Sequence, residues 1–137
     1  MTCPPASRVA TVFEKVNIGG LPLNVFELLT ATFAGDADYY AETGQDFRLN
    51  DDWHDTQTRW AHHPVLNTVS NTDFLQAVTM LATRKRNLAS SADRAPAISA
   101  KREDVLKLEL QDYLEWRLPL REAFEWASTL LADWHVF

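Results

Sequence analysis

The 137-residue sequence predicts an all-α protein, an irregular bundle of five to six helices. Apolar residues recur at spacings of three and four along most of the chain, which is the period of helices buried on one side. No alternating strand pattern exceeds four residues. Helix-starting and helix-ending residues also bound the periodic segments. The length corresponds to one domain covering residues 1–137.

The N-terminal quarter predicts two short helices. Ser7 is a suitable N-cap for the first helix, whose apolar positions are Val9, Val12, Phe13 and Val16. The paired glycines at 19–20 end this helix, because adjacent glycines favour a turn. Asn24 and Glu27 have the spacing of an N-cap pair. They predict a second helix over residues 25–34.

Residues 36–50 are acidic and contain a glycine, so we expect a loop with at most one helical turn. A helix is predicted over residues 51–61, with Trp53 and Trp60 two turns apart on the same side. His63 precedes a proline, and a residue in that position disfavours helical backbone. This third helix therefore ends there.

The fourth predicted helix is capped by Asn71 or Thr72 and ends near Leu88. Its buried stripe consists of Phe74, Leu75, Val78, Leu81 and Ala82. Residues 89–100 are rich in serine, alanine and proline, so we expect a mobile loop there.

The C-terminal part predicts a short helix over residues 102–106 and a long one from Leu110 to about Trp134. Pro119 lies inside the long segment. Because proline lacks the N–H group of a helical hydrogen bond, it should kink this helix or split it in two.

Charge and cysteine content exclude several classes of function. The net charge is −6, with −6 in residues 35–73, +5 in residues 74–102 and −5 in residues 103–137. An acidic chain is a poor non-specific ligand for nucleic acid. Cys3 is the single cysteine, so neither an intrachain disulfide nor a thiolate zinc site is expected. No apolar run has the length of a membrane helix, and we expect a cytoplasmic protein.

Catalytic and metal-binding patterns are sparse. No Gly-x-Ser-x-Gly elbow and no Gly-Lys-Ser/Thr phosphate loop is present, so no catalytic residue is predicted. On a helix, Asp51, His54 and Asp55 would share one face and could contact a cation. An acidic first turn that complements the helix dipole explains them more simply, and we predict no metal site.

Two other groups of residues are candidates for binding anions. Arg84, Lys85 and Arg86 form either a solvated helix end or a patch that contacts nucleic-acid phosphates. The segment from Phe13 to Leu23 places two glycines between helices, which exposes backbone N–H groups. It is either a tight turn or an anion site, and the site's residues would be Lys15, Asn17, Gly19 and Gly20.

This last segment, Phe-Glu-Lys-Val-Asn-Ile-Gly-Gly-Leu-Pro-Leu at residues 13–23, resembles a signature of GmrS-type proteins. These belong to the GmrSD family of modification-dependent (type IV) restriction endonucleases. The likeness continues through residues 25–31, 49–53, 70–77 and 101–106, and so covers almost the whole chain. In that family the preceding half resembles a ParB/sulfiredoxin-like fold and carries an Asp-Gly-Gln-Gln-Arg motif tied to nucleotide hydrolysis.

The resemblance implies a non-catalytic helical portion of a bacterial restriction or phage-defence protein. Its nucleotide-responsive site would be completed by the missing upstream sheet half, and the family's NTP and Mg²⁺ would bind in that full-length context. This chain alone is expected to hold no cofactor and to be no enzyme. Expected partners are the upstream half or a GmrD-like nuclease subunit. A second copy of the chain could bind through exposed apolar helix faces, and DNA could bind only through the basic patch. The alternative is a stand-alone helical interaction module without nucleotide binding.

Overall fold

In a computed structural model, residues 23–91 and 93–134 are described, and they contain six α-helices and no β-strand. The predicted all-α fold is therefore confirmed. The helices are α1 (Val25–Ala34), α2 (Ala37–Thr43), α3 (Leu49–Arg59), α4 (Asn71–Ala89), α5 (Arg102–Leu106) and α6 (Leu110–Asp133). Two 3₁₀ segments, Trp60–His62 and Pro64–Thr68, connect α3 to α4. The predicted first helix and the glycine turn at 19–20 lie outside the described residues.

The start of α1 is held by a reciprocal capping box. The Asn24 side chain accepts a hydrogen bond from the backbone N–H of Glu27 at 2.9 Å, and the Glu27 carboxylate accepts one from the Asn24 N–H at 3.0 Å. Each bond satisfies a donor that the helix itself leaves unpaired. The predicted N-cap pair is confirmed.

The cap of α4 is Ser70, so the prediction of Asn71 or Thr72 was wrong by one or two residues. Ser70 Oγ accepts from the Asp73 N–H at 3.1 Å, and the Asp73 carboxylate accepts from the Ser70 N–H at 2.9 Å. An acidic residue three positions after the cap completes a capping box, and only Ser70 has Asp73 at that distance.

Residues 36–50 contain more helix than predicted. Asp36 caps α2 by accepting a hydrogen bond from the Tyr39 N–H at 2.9 Å. The helix then runs for seven residues and ends at Gly44, whose φ of 72° lies in the left-handed region. The local cap thus stabilises two turns in a segment without an apolar stripe.

Helix α6 continues without interruption through Pro119 for 24 residues. Of the two predicted outcomes the split was therefore wrong, and the kink stays a prediction. Pro119 is exposed. Glu115, whose carbonyl group lacks a helical hydrogen-bond donor because of this proline, is exposed as well. Water can therefore serve that carbonyl group, while packing against α4 supports the helix on its other side.

The core lies where α4 packs along α6 and α1 contacts α3, α4 and α5. Trp60 and Tyr113 are almost completely buried, and burying side chains of this size contributes roughly 2–3 kcal/mol each. Trp53 contacts Trp60 edge-to-face, with ring centroids 5.9 Å apart. Trp126 and Trp134, by contrast, are 68% and 63% exposed.

The described residues between α4 and α5 form no helix, and hydrogen bonds connect them to α4. The Ser99 N–H donates to Thr83 Oγ1 at 3.1 Å, and the Asn87 side chain donates to the Pro96 carbonyl at 2.9 Å. Over the residues that the structure describes, no helix combines the length and apolar character needed to cross a membrane.

Candidate functional site

Helix α3 turns Asp52 toward the protein interior. Leu49, Asp52, Trp53 and Thr56 form the buried face of this helix, and Asp52 is 8% exposed. An ionised carboxylate in such a place needs charged or hydrogen-bonding partners, since burial without them is very costly.

The partners of Asp52 come from one face of α6, where residues 113, 117 and 121 follow one another at spacings of four. The Tyr113 hydroxyl donates to Asp52 Oδ2 at 2.5 Å. Arg117 Nη1 is bound to Oδ1, and Arg121 Nη2 lies 2.8 Å from Oδ2. Arg121 also donates to the Asp52 backbone carbonyl at 3.1 Å. We call these four residues the Asp52 cluster.

The Asp52 cluster has more positive charge than its single carboxylate can balance. Two guanidinium groups share Asp52, which leaves a formal charge of +1. Within the described part of the chain, Nε of Arg117 and Nε of Arg121 are buried without a hydrogen-bond acceptor. Burial and the negative charge of Asp52 raise the pKa of Tyr113 above its ordinary value, so its hydroxyl remains a donor.

An open cleft of about 730 Å³ lies beside the cluster, between the α2–α3 connection, α3 and α6. Asp52 and Arg117 belong to both the cluster and the cleft wall. The Arg117 guanidinium carbon lies 5.8 Å from the centroid of the Phe47 ring. The other lining residues are Tyr39, Tyr40, Gly44, Gln45, Asp46, Phe47, Arg48, Asp51 and Asp55.

The anion site predicted in the glycine turn, formed by Lys15, Asn17, Gly19 and Gly20, lies outside the described residues and stays a prediction. Helix α1, which follows this turn in the sequence, is described from its first residue onward.

Two members of the predicted basic patch bind carboxylates on α6. Lys85 Nζ lies 2.6 Å from Glu115, and Arg86 Nη2 lies 2.5 Å from Asp112. Arg84 is exposed and has no ion-pair partner among the described residues. The patch therefore presents less free positive charge than its sequence indicates, and contact with nucleic acid stays a prediction.

The three residues of α3 that were considered for a cation, Asp51, His54 and Asp55, do not all line the cleft. Asp51 and Asp55 line the cleft, whereas His54 does not. In residues 23–134, apart from residue 92, no three His, Cys, Asp or Glu side chains are grouped so that they could hold a metal ion.

Sequence reasoning did not identify the Asp52 cluster. The four-residue spacing of Tyr113, Arg117 and Arg121 was a usable signal, because it puts a hydroxyl and two guanidinium groups on one helix face. Their partner, however, lies 61 to 69 residues earlier in the chain. Only the packing of α3 near α6 reveals it.

Comparison of the chain with protein-family profiles, with curated proteins and with solved structures finds no match.

Proposed function

We propose that this chain is a non-catalytic helical portion of a GmrS-like restriction or phage-defence protein that acts in the cytoplasm. In this proposal, the turn at residues 17–20 contributes to a nucleotide-responsive site that an upstream sheet half completes. In this function the helical bundle supports the turn and catalyses no reaction itself.

The main support for this proposal is the position, in the fold, of the segments that resemble the GmrS-type proteins. The segments 25–31, 49–53, 70–77 and 101–106 belong to α1, α3, α4 and α5 and its cap, and all four contribute to one core. Their buried apolar members are Val25, Phe26, Leu28, Leu29, Leu49, Trp53, Phe74, Leu75 and Val105. Each of the four segments supplies apolar residues to this core, and this supports a fold shared with the family, because buried apolar positions specify packing.

The start of α1 supports a role for the turn that precedes it. The capping box of Asn24 and Glu27 orders the first turn of α1, while Val25 and Phe26 are buried in the core. Residues immediately before α1 are thus connected to a rigid element. A binding turn benefits from such a base, since less conformational entropy is lost when its ligand binds.

In this function the chain supplies no reacting group. Phosphoryl transfer requires a positioned nucleophile and, in most enzymes, Mg²⁺ held by a carboxylate. Both carboxylate oxygens of Asp52 are already engaged by Arg117, Arg121 and Tyr113. Asp52 thus serves to join α3 to α6.

Reconstitution tests this function. A fluorescent GTP analogue is titrated into the chain alone and into a mixture with a polypeptide that carries the Asp-Gly-Gln-Gln-Arg half. We expect the mixture to bind at least about tenfold more tightly, which corresponds to about 1.4 kcal/mol. Gly19→Val and Gly20→Val should abolish this gain.

Gly35→Ala is the matched control, because an added Cβ there meets only ordinary contacts at 3.7 and 3.8 Å. It should leave nucleotide binding unchanged. Binding that the second polypeptide does not improve would contradict the proposal. So would nucleotide turnover by the 137-residue chain that is lost when one of its own residues is mutated.

The exposed tryptophans favour a second candidate, a stand-alone helical interaction module that forms homo-oligomers. Trp126 and Trp134 expose large aromatic surfaces near the end of α6, and tryptophan is enriched at protein interfaces. Sedimentation of the wild type and of Trp126→Ser tests this candidate. It predicts an oligomer that the substitution weakens, together with no effect of the upstream half on nucleotide binding.

A further inference from the structure

We propose that the cleft beside the Asp52 cluster binds a small zwitterionic aminocarboxylate with an aromatic side group. Its carboxylate would bind Arg117 and Arg48, and its ammonium group would bind Asp51 and Asp55. This site is independent of the glycine turn and of the nucleotide-responsive function.

The excess positive charge of the Asp52 cluster points to an anionic group in the ligand. The carboxylate of Asp52 is shared by two guanidinium groups, so the three charges leave a formal charge of +1. Both arginines are paired with Asp52, and the remaining positive charge is accessible only at Arg117, which is partly exposed. An anionic group that contacts Arg117 would balance this remaining charge.

Arg117 is the member of the cluster that a ligand can reach. Its side chain is 27% exposed and lines the cleft, whereas the Arg121 side chain is 9% exposed and does not. Arg48 lines the same cleft from the residue before α3. Guanidinium groups bind carboxylates through paired hydrogen bonds, so these two arginines suit a carboxylate.

The acidic residues of the cleft determine what else the ligand carries. Asp46, Asp51 and Asp55 line the cleft and are exposed. Together they would repel a phosphate dianion or a nucleotide. A ligand whose carboxylate is accompanied by an ammonium group satisfies both the arginines and the aspartates, and this leads to a zwitterion.

The aromatic residues that line the cleft, together with its volume, are the reason for proposing an aromatic side group on the ligand. Tyr39 meets Phe47 edge-to-face at 5.4 Å between ring centroids, and Tyr40 is 57% exposed. Aromatic rings attract one another in such tilted arrangements. The 730 Å³ of the cleft falls within the range of roughly 300–1,000 Å³ that small-molecule sites occupy.

Three matched probes test the proposed ligand class against the full chain by calorimetric titration. L-phenylalanine carries both charges, 3-phenylpropionate lacks the ammonium group, and phenethylamine lacks the carboxylate. We expect L-phenylalanine to bind at least about tenfold more tightly than either of the others, because each loses a charge-assisted contact. Equal binding of phenethylamine or of 3-phenylpropionate would overturn the zwitterion assignment, as would equally tight binding of inorganic phosphate.

Paired substitutions of exposed residues locate the site. Arg48→Gln and Asp55→Asn should each weaken L-phenylalanine binding about tenfold. Arg84→Gln and Asp38→Asn remove the same charges outside the cleft, since Arg84 is on α4 and Asp38 lines a separate groove. These controls should bind as the wild type does. An equal loss in a variant and its control, or no binding by the wild type, would overturn the proposal.

Discussion

The Tyr113 hydroxyl donates a 2.5 Å hydrogen bond to Asp52 Oδ2 and thereby joins α6 to α3 across 61 positions of sequence. The Tyr113 ring also packs against Phe33, Phe47 and Phe74, with centroid distances between 5.8 and 6.3 Å. One side chain thus links the aromatic core to the buried carboxylate. The stability of the bundle should therefore be sensitive to changes in this pair.

Replacing Asp52 by asparagine should destabilise the fold by about 3 kcal/mol, because it leaves the buried Arg121 and the partly buried Arg117 without a counter-charge. The neighbouring Asp51→Asn is the control, since Asp51 is exposed and its change should stay within about 0.5 kcal/mol. Urea unfolding followed by far-UV circular dichroism measures both. Similar midpoints for the two variants would show that the cluster contributes little.

Tyr113→Phe should cost about 1.5–3 kcal/mol, the range for a hydrogen bond to a charged partner. The ring remains, so its packing in the core is preserved and the lost hydroxyl is isolated as the cause. Tyr40→Phe removes a hydroxyl from a residue that is 57% exposed and should have almost no effect. Thermal or urea unfolding compares the two, and equal losses would contradict the assigned role of the hydrogen bond.

Stability should decrease at alkaline pH because of Tyr113. Burial and the negative charge of Asp52 raise its pKa in the folded protein. In the unfolded chain this hydroxyl loses its proton near the ordinary value of about 10. The folded state therefore binds more protons above this pH, and the free energy of unfolding falls as pH rises. Tyr113→Phe should show a shallower fall in urea titrations between about pH 9 and 11; identical slopes would refute this prediction.

The capping box of α4 should give stability that is lost in acid. Hydrogen bonds from the Ser70 backbone N–H and then from its hydroxyl lower the pKa of Asp73. This contribution is present above the unfolded value of about 3.9 and disappears as pH falls through the lower folded value. At neutral pH, Asp73→Asn should cost about 1 kcal/mol and reduce the loss in acid. Asp93→Asn, outside the helices, is the control in the same unfolding titration.

Gly44→Ala should destabilise the protein by about 1 kcal/mol, because φ at Gly44 is 72° and a Cβ atom disfavours left-handed backbone. Gly35→Ala should be neutral or slightly stabilising, since its added Cβ meets only ordinary contacts. Thermal unfolding of both variants checks this difference. Gly44→Ala as stable as Gly35→Ala would mean that the α2 terminus readily adopts another conformation.

The sequence alone determined five of the six described helices and several of their ends. The Asn24 and Glu27 capping box, the span of α1 and the start of α6 depend on groups within four residues of one another. Such short-range patterns can be read directly, because helix periodicity and capping are local. Where several local groups compete, as at Ser70, the pattern predicts a helix start but leaves its position uncertain by a residue or two.

Only the tertiary structure decided which residues share the Asp52 cluster, why α6 continues through Pro119, and which tryptophans are buried. Trp60 is 2% exposed and Trp134 is 63% exposed, although both lie on the apolar side of a predicted helix. The pattern tells which face of a helix is apolar, but burial depends on whether another helix covers that face. Likewise, Asp52 resembles its acidic neighbours in sequence and differs from them because α6 brings Tyr113 and two arginines to its side. Contacts between residues more than 60 positions apart arise from packing, which local periodicity does not specify.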